Sequence, residues 1–348
     1  MRALAVIGLV AGSSVMAKPG VAADQVRIAS WGGAFQLAER KAWYEPFSKE
    51  TGIAVVEDEY SGEAGKIRAM VESKAVTWDV IDGYNVWVNQ LCDEGLLEKI
   101  DWAKLGLDRS KFLDGEKYDC GVPSVLTSGV IAYDKDKLAD GPKTISDLFD
   151  TKKFPGKRGL EKIPETNLEW ALIADGVPVK DVYKVLSTTE GVDRAFKKLD
   201  TIKKDIVWWE AFAVPPQLLA DGQVVMTSAA NGRIFDANKN SGKHFEIMRD
   251  AQIWGVSNIW VIPAGTQRLD EAYKFIGYVA SAQVQPMLTK YIPYGPANKD
   301  GMALVDPDAL PYVSNAPQNL VGALQTDPNF WNDHGVELHQ RFTAWLAN

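Results

Sequence analysis

Short apolar runs alternate with helical periodicity along nearly the whole chain, and no Pro/Gly/Ser-rich tether separates them. Val26–Ser30 alternates as a strand, Gln36–Lys49 follows with helical spacing, and Ile53–Glu57 reads as a second strand. Ser61 stands where an N-cap belongs, ahead of a helix carrying Ile67, Met70 and Val71 on one face, and Trp78–Ile81 is a third strand. Further strands fall at Gly129–Tyr133, Val224–Ser228 and Ile259–Ile262. Leu269, Ala272, Tyr273, Ile276 and Val279 mark one amphipathic helix, and Leu338, Phe342, Trp345 and Leu346 mark the last. This strand–helix–strand rhythm predicts an α/β fold with sheets covered by helices. At 348 residues the chain is long enough for two cores. Without a tether, it is expected to cross between two lobes more than once, which makes the intervening cleft the natural ligand site.

Behind Arg2, the apolar run Ala3–Val10 is broken at Gly12–Ser14 and followed by small-residue cleavage signals at Val15-Met16-Ala17 and Val21-Ala22-Ala23. The second signal is preferred, so residues 1–23 are read as a cleaved export signal. The apolar run is well short of the ~20 residues that span a bilayer, and no cysteine follows either signal to carry a lipid. With 46 acidic against 38 basic residues the net charge is −8, which disfavours nucleic acid and anionic membranes as partners. Two cysteines, Cys92 and Cys120, remain in the exported part. In an oxidising compartment they favour a disulfide, worth about 3 kcal/mol in the chain-entropy picture, with two buried thiols as the alternative.

Catalytic signatures are missing. There is no G-x-S-x-G, H-E-x-x-H, G-x-G-x-x-G or phosphate-binding loop, so no catalytic residue is assigned. Of the three histidines, His334 and His339 lie on the last helix, roughly 140° apart around its axis, and do not converge as i,i+4 metal ligands do. They read as solvated, and no metal or cofactor is expected.

Aromatic and polar residues at turns stand out instead. Trp31-Gly32-Gly33 follows the first strand, where strand carboxyl ends meet a crevice in open α/β sheets. The glycines admit close backbone approach, and the indole offers an apolar or cation-attracting wall, or else a core residue. Asp82-Gly83-Tyr84 occupies the equivalent loop after the third strand. Trp208-Trp209 and Trp254 read as further walls or as core. Arg233, in Asn231-Gly232-Arg233, is a candidate anion clamp through its bidentate guanidinium, or a surface arginine.

Several segments together resemble the periplasmic substrate-binding proteins of ATP-driven importers, in the spermidine/putrescine-binding branch. They are Ala29-Ser30-Trp31-Gly32-Gly33, Trp78-Asp79-Val80-Ile81-Asp82, residues 168–177, Pro216-Gln217-Leu218-Leu219-Ala220-Asp221-Gly222, residues 226–233, Trp260-Val261-Ile262-Pro263 and Tyr294-Gly295-Pro296-Ala297-Asn298. The likeness spans the mature chain in order. It implies a type II two-lobe fold, each lobe a mixed sheet flanked by helices, joined by a two-strand hinge and closing on a ligand. Residues 24–131 with 261–298 are expected to form lobe 1, and 132–260 with 299–348 lobe 2. It also implies a periplasmic, non-enzymatic, monomeric receptor that delivers a small molecule to an inner-membrane ABC permease. A ligand-presenting sensory protein is an alternative, and a secreted α/β hydrolase or transferase is a third reading.

A polyamine site in that family boxes the methylene chain with aromatics and holds each ammonium with carboxylates. Trp31 and Tyr294 keep the aromatics here. The first-loop acid falls at Gly33, and two acids at the start of the second lobe fall near Lys162 and Thr166, with Glu161 and Glu165 beside them. The tryptophan before Asn231 is Ala230, and the acid before Trp260 appears as Asn258. An unpaired buried ammonium costs several kcal/mol. A ligand with a carboxylate on Arg233, such as an ω-amino acid, therefore fits better than spermidine or putrescine. Walls are expected from Trp31, Tyr84, Trp254 and Tyr294, backbone contact from Gly32 and Gly33, and polar contacts from Asp82, Asn231 and Asn258.

Overall fold

The computed structural model describes residues 24–347, so the expected export signal lies outside it. Five strands form the first sheet: β1 (Gln25–Ser30), β2 (Ala54–Glu59), β3 (Val80–Tyr84), β4 (Gly121–Pro123) and β10 (Asn258–Val261), in the order β2-β1-β3-β10-β4. β1 runs parallel to β2 and β3, whereas β10 returns antiparallel between β3 and β4. The second sheet holds β5 (Val125–Asp134), β6 (Arg158–Glu161), β7 (Ile206–Trp209), β8 (Met226–Ala230), β9 (Phe245–Val256) and β12 (Leu324–Gln325). Its order is β12-β9-β5-β8-β6-β7, with β11 (Gly295–Pro296) also paired to β5. Both sheets are mixed, as expected. Trp43, Trp78 and Trp260 are fully buried in the core around the first sheet, and Trp170 anchors the core on the second.

The chain passes from one sheet to the other at Ser124 and again at Ser257. The two crossings lie side by side, because Ser124 N–H donates to Asn258 O at 2.8 Å and Ser257 N–H to Val125 O at 3.1 Å. The changeover therefore differs from the lobe boundaries expected from sequence. Residues 125–131 pair in the second sheet and 258–260 in the first.

Several local details depart from the periodicity. The first helical run is continuous from Gly33 to Thr51, but Arg40–Tyr44 is a π-helical turn within it. The helix carrying Ile67 and Met70 starts at Ala64 after Glu63, so Ser61 is not its N-cap. β9 interrupts its apolar pattern with Arg249 and Asp250. The pairing with β5 shifts between Gly129 and Ile131, and the displaced Arg249 and Gln252 side chains donate to Pro311 O and Ser314 O instead.

Cys92 and Cys120 form a disulfide with a Cα–Cα distance of 5.6 Å, tying a helix to the approach of β4. Serine at both positions is expected to lower unfolding free energy by about 2–3 kcal/mol, measured by urea denaturation under oxidising conditions.

Candidate functional site

A cleft of about 520 Å³ lies between the two sheets. Its first-sheet wall begins with Trp31, directly after β1. The Trp31 ring lies 5.8 Å from Tyr84, edge-on, and 5.2 Å from Tyr60. Gly62, at φ +91°, lets the backbone settle on the indole, because a Cβ there would lie 2.9 Å from the ring. Trp87 fixes that turn by donating to Gly62 O at 3.0 Å. Behind this wall Asp82 is fully buried and accepts from the Asn258 amide at 2.7 Å. Burial pushes the Asp82 carboxyl up to about 8, with Asn258 and the Trp31 indole pulling the other way. Asp82 thus orients Asn258, whose side-chain carbonyl accepts from Ser257 Oγ at 2.8 Å.

The second-sheet wall is built where β6 ends. Helix α1 (Asn167–Ala174) starts six residues on, and the loop between them is held by Asn167, which donates to Glu161 O and Ile163 O, both at 2.7 Å. Thr166 adopts φ +64°, a costly conformation for a branched residue and one that clusters at functional sites. The result aims Glu161 and Glu165 into the cleft, where Tyr84 of the opposite wall faces them. Burial first, then the neighbouring Glu165, pushes the Glu161 carboxyl up to about 8. Glu165 has one oxygen 2.8 Å from His339 Nε2, and its Oε2 is buried without a hydrogen-bond partner among the described residues. Deeper still, Glu169 accepts from Trp331 at 3.0 Å and Tyr183 at 3.2 Å, and burial pushes it up to about 8.

Arg233 sits on the first turn of helix α2 (Asn231–Ser241), after β8. Its guanidinium makes no ion pair among the described residues, and its Nε is buried without a partner. A Cβ on Gly33 would stand 3.4 Å from its Nη1, at ordinary van der Waals contact. Tyr294 packs beside it, 5.3 Å from Phe35. The cleft therefore has two poles. Glu161 and Glu165 face Tyr84 at one, and Arg233 faces Gly33 and Tyr294 at the other. Gly33→Ala is expected to cost about 1–2 kcal/mol, since φ is +57° there. Thermal unfolding measures the effect.

Of the residues singled out from sequence, Trp31, Tyr84, Arg233, Trp254, Asn258 and Tyr294 line the cleft. Gly32, Asp82 and Asn231 stand behind its wall. Gly32 N–H donates to Gln36, and Asn231 accepts from Ser128 N–H while donating to Pro293 O and Tyr312 O. The acids expected to be lost are present one residue earlier: Lys162 is exposed and pairs with Glu210 at 2.8 Å, whereas Glu161 and Glu165 line the site. His339 is not merely solvated, because it borders the cleft. Trp209 and Phe212 add an aromatic edge, while Trp208 packs in the core against Phe342 and Trp345. Glu161 and Glu165 were legible only as neighbours of their aligned positions, and His339 carried no sequence signal.

Two mixed sheets joined by paired crossing segments around a charged, aromatic-lined cleft define a type II solute-binding protein. A model of bacterial extracellular solute-binding proteins matches residues 42–314. The chain belongs to that family. It is 44% identical over 328 residues to the gamma-aminobutyric acid-binding protein of Pseudomonas aeruginosa, covering 93% of this chain and 91% of that one. It is also 22% identical over 275 residues to the spermidine/putrescine-binding periplasmic protein of Escherichia coli, covering 76% of each. The solved Atu4243-GABA receptor superposes with a TM-score of 0.81 at 38% identity, covering 93% of this chain and 98% of that one. The protein is thus a solute-binding component of an ABC transporter, of the kind that delivers small molecules to a permease. No helix among the described residues is long and apolar enough to cross a membrane.

Proposed function

We propose that this protein captures an ω-amino acid of the 4-aminobutyrate type in the periplasm, after removal of residues 1–23, and passes it on unchanged. The observation that carries this reading is a pair of opposite, unsatisfied groups in one cavity: the buried Nε of Arg233 and the buried Oε2 of Glu165. A buried polar atom without a partner is costly, so each calls for a complementary group from the ligand. A carboxylate on Arg233 and an ammonium between Glu161, Glu165 and Tyr84 satisfy both, with the methylenes against Trp31. A diamine would put a second ammonium against Arg233, and a simple carboxylic acid would leave the glutamates unanswered. The similarity to a gamma-aminobutyric acid-binding protein supports the same ligand class. The protein acts as a monomer in this reading, and its acidic surface leaves nucleic acid aside.

Calorimetry of the mature chain with 4-aminobutyrate and with spermidine tests the proposal. Expected are stoichiometric binding of 4-aminobutyrate, full recovery of unchanged ligand and weak or no binding of spermidine. Tight spermidine binding with no response to 4-aminobutyrate would refute it.

A further inference from the structure

The C-terminal helix α3 (Pro328–Ala347) brings to the cleft an imidazole that the ligand reading leaves unused. His339 Nε2 lies 2.8 Å from Glu165 Oε1, with the imidazole half-exposed and the Glu165 side chain only 17% exposed. The other Glu165 oxygen is the unpartnered one. Resting on the ω-amino-acid reading, we propose that His339 is a specificity-determining, positioning residue. It sets the charge of the cation-binding pole and thereby the preference of the cleft for a zwitterion over a diamine.

In the bound state, where the ligand ammonium holds Glu161 ionised, a protonated His339 and Arg233 together offset Glu161 and Glu165, and a ligand of zero net charge fits. With the imidazole neutral, one carboxylate is in surplus. Its field reaches the Arg233 pole, where it opposes a carboxylate and favours a second ammonium. The two ligands differ by two charges at that pole, so a change of one charge across the hydrated cleft changes the ratio of their affinities by roughly tenfold. The hydrogen bond to Glu165 holds the imidazole above its ordinary value, so the charged form persists to higher pH than in a free imidazole. The other titratable groups around the pair are Glu161 on β6, Glu169 on α1 and Tyr84 from the first sheet, all raised by burial. On α3 itself Arg341 is turned away, paired with Asp193. The two glutamates are pushed up to about 8. Comparing variants at one pH therefore isolates the imidazole.

The test is calorimetry of the mature chain with 4-aminobutyrate and 1,4-diaminobutane, at about pH 6 and about pH 8.5, for wild type, His339→Gln and His339→Lys. Glutamine keeps a donor for Glu165 without charge, and lysine keeps the charge at both pH values. The expected result is a preference for 4-aminobutyrate about tenfold lower in the glutamine variant than in the lysine variant. Wild type should follow lysine at the lower pH and move toward glutamine at the higher. If wild type binds 4-aminobutyrate but the ratio is the same in both variants, the role of His339 is overturned and the ligand reading stands. If wild type binds neither probe, both fall together.

Discussion

Replacing Arg233 with alanine is expected to weaken 4-aminobutyrate binding by about 10²–10³-fold, the usual consequence of removing one partner from a desolvated charge pair. The fold should survive, because Arg233 makes no ion pair among the described residues and α2 is anchored by Asn231 instead. Thermal unfolding without ligand should therefore be nearly unchanged, while the stabilisation that ligand confers on wild type should largely disappear. Lysine at 233 should recover only part of the loss. A point charge lacks the forked, bidentate geometry that a carboxylate meets on a guanidinium. Calorimetry on the three proteins reads both effects, and an alanine variant that binds as tightly as wild type would remove Arg233 from the site.

The paired substitution Glu161→Gln with Glu165→Gln should cost a similar 10²–10³-fold, roughly, and change the pH dependence as well. The Glu161 carboxyl is raised to about 8 in the ligand-free fold. Between the ordinary carboxylate range and that value, the folded protein holds a proton that the unfolded chain has released. Ligand-free stability therefore falls as pH rises through this window. Glu169, also pushed up to about 8, adds to the same trend. An ammonium needs the ionised carboxylate, so binding expels the Glu161 proton. Affinity in wild type should rise with pH and level off above about 8, with proton release on binding below that point. Calorimetry in two buffers of different ionisation enthalpy measures the release directly. In the double glutamine variant the part of this release that comes from Glu161 should vanish. A wild-type affinity that is flat across the window would contradict the assignment.

The cleft also explains why its two poles were unequally legible. Arg233 was marked as a candidate anion clamp, with a surface arginine as the alternative, because it follows a strand whose carboxyl end meets the crevice. The acids were harder to read. β6 is only four residues long, and whether its last side chain faces core or cleft reverses with a slip of one position. The loop to α1 turns through Thr166 at positive φ, a conformation with no sequence signature outside glycine and asparagine. Asp82 looked like a ligand contact because it follows a strand, but it lies under the wall and serves Asn258. His339 neighbours the buried Leu338 on α3, and helical periodicity alone places it at the border between buried and solvated faces.

Local chemistry written in the chain determined the α/β class, the two cores and the arginine-bearing, aromatic crevice, because periodicity and turn residues act over a few positions. The disulfide partners followed from the chain having only two cysteines. Tertiary structure alone decided where the chain changes sheets, which glutamates face the guest and that a histidine near the C-terminus borders it. Those outcomes depend on how distant segments pack against one another, and the short-range pattern of a sequence does not encode that.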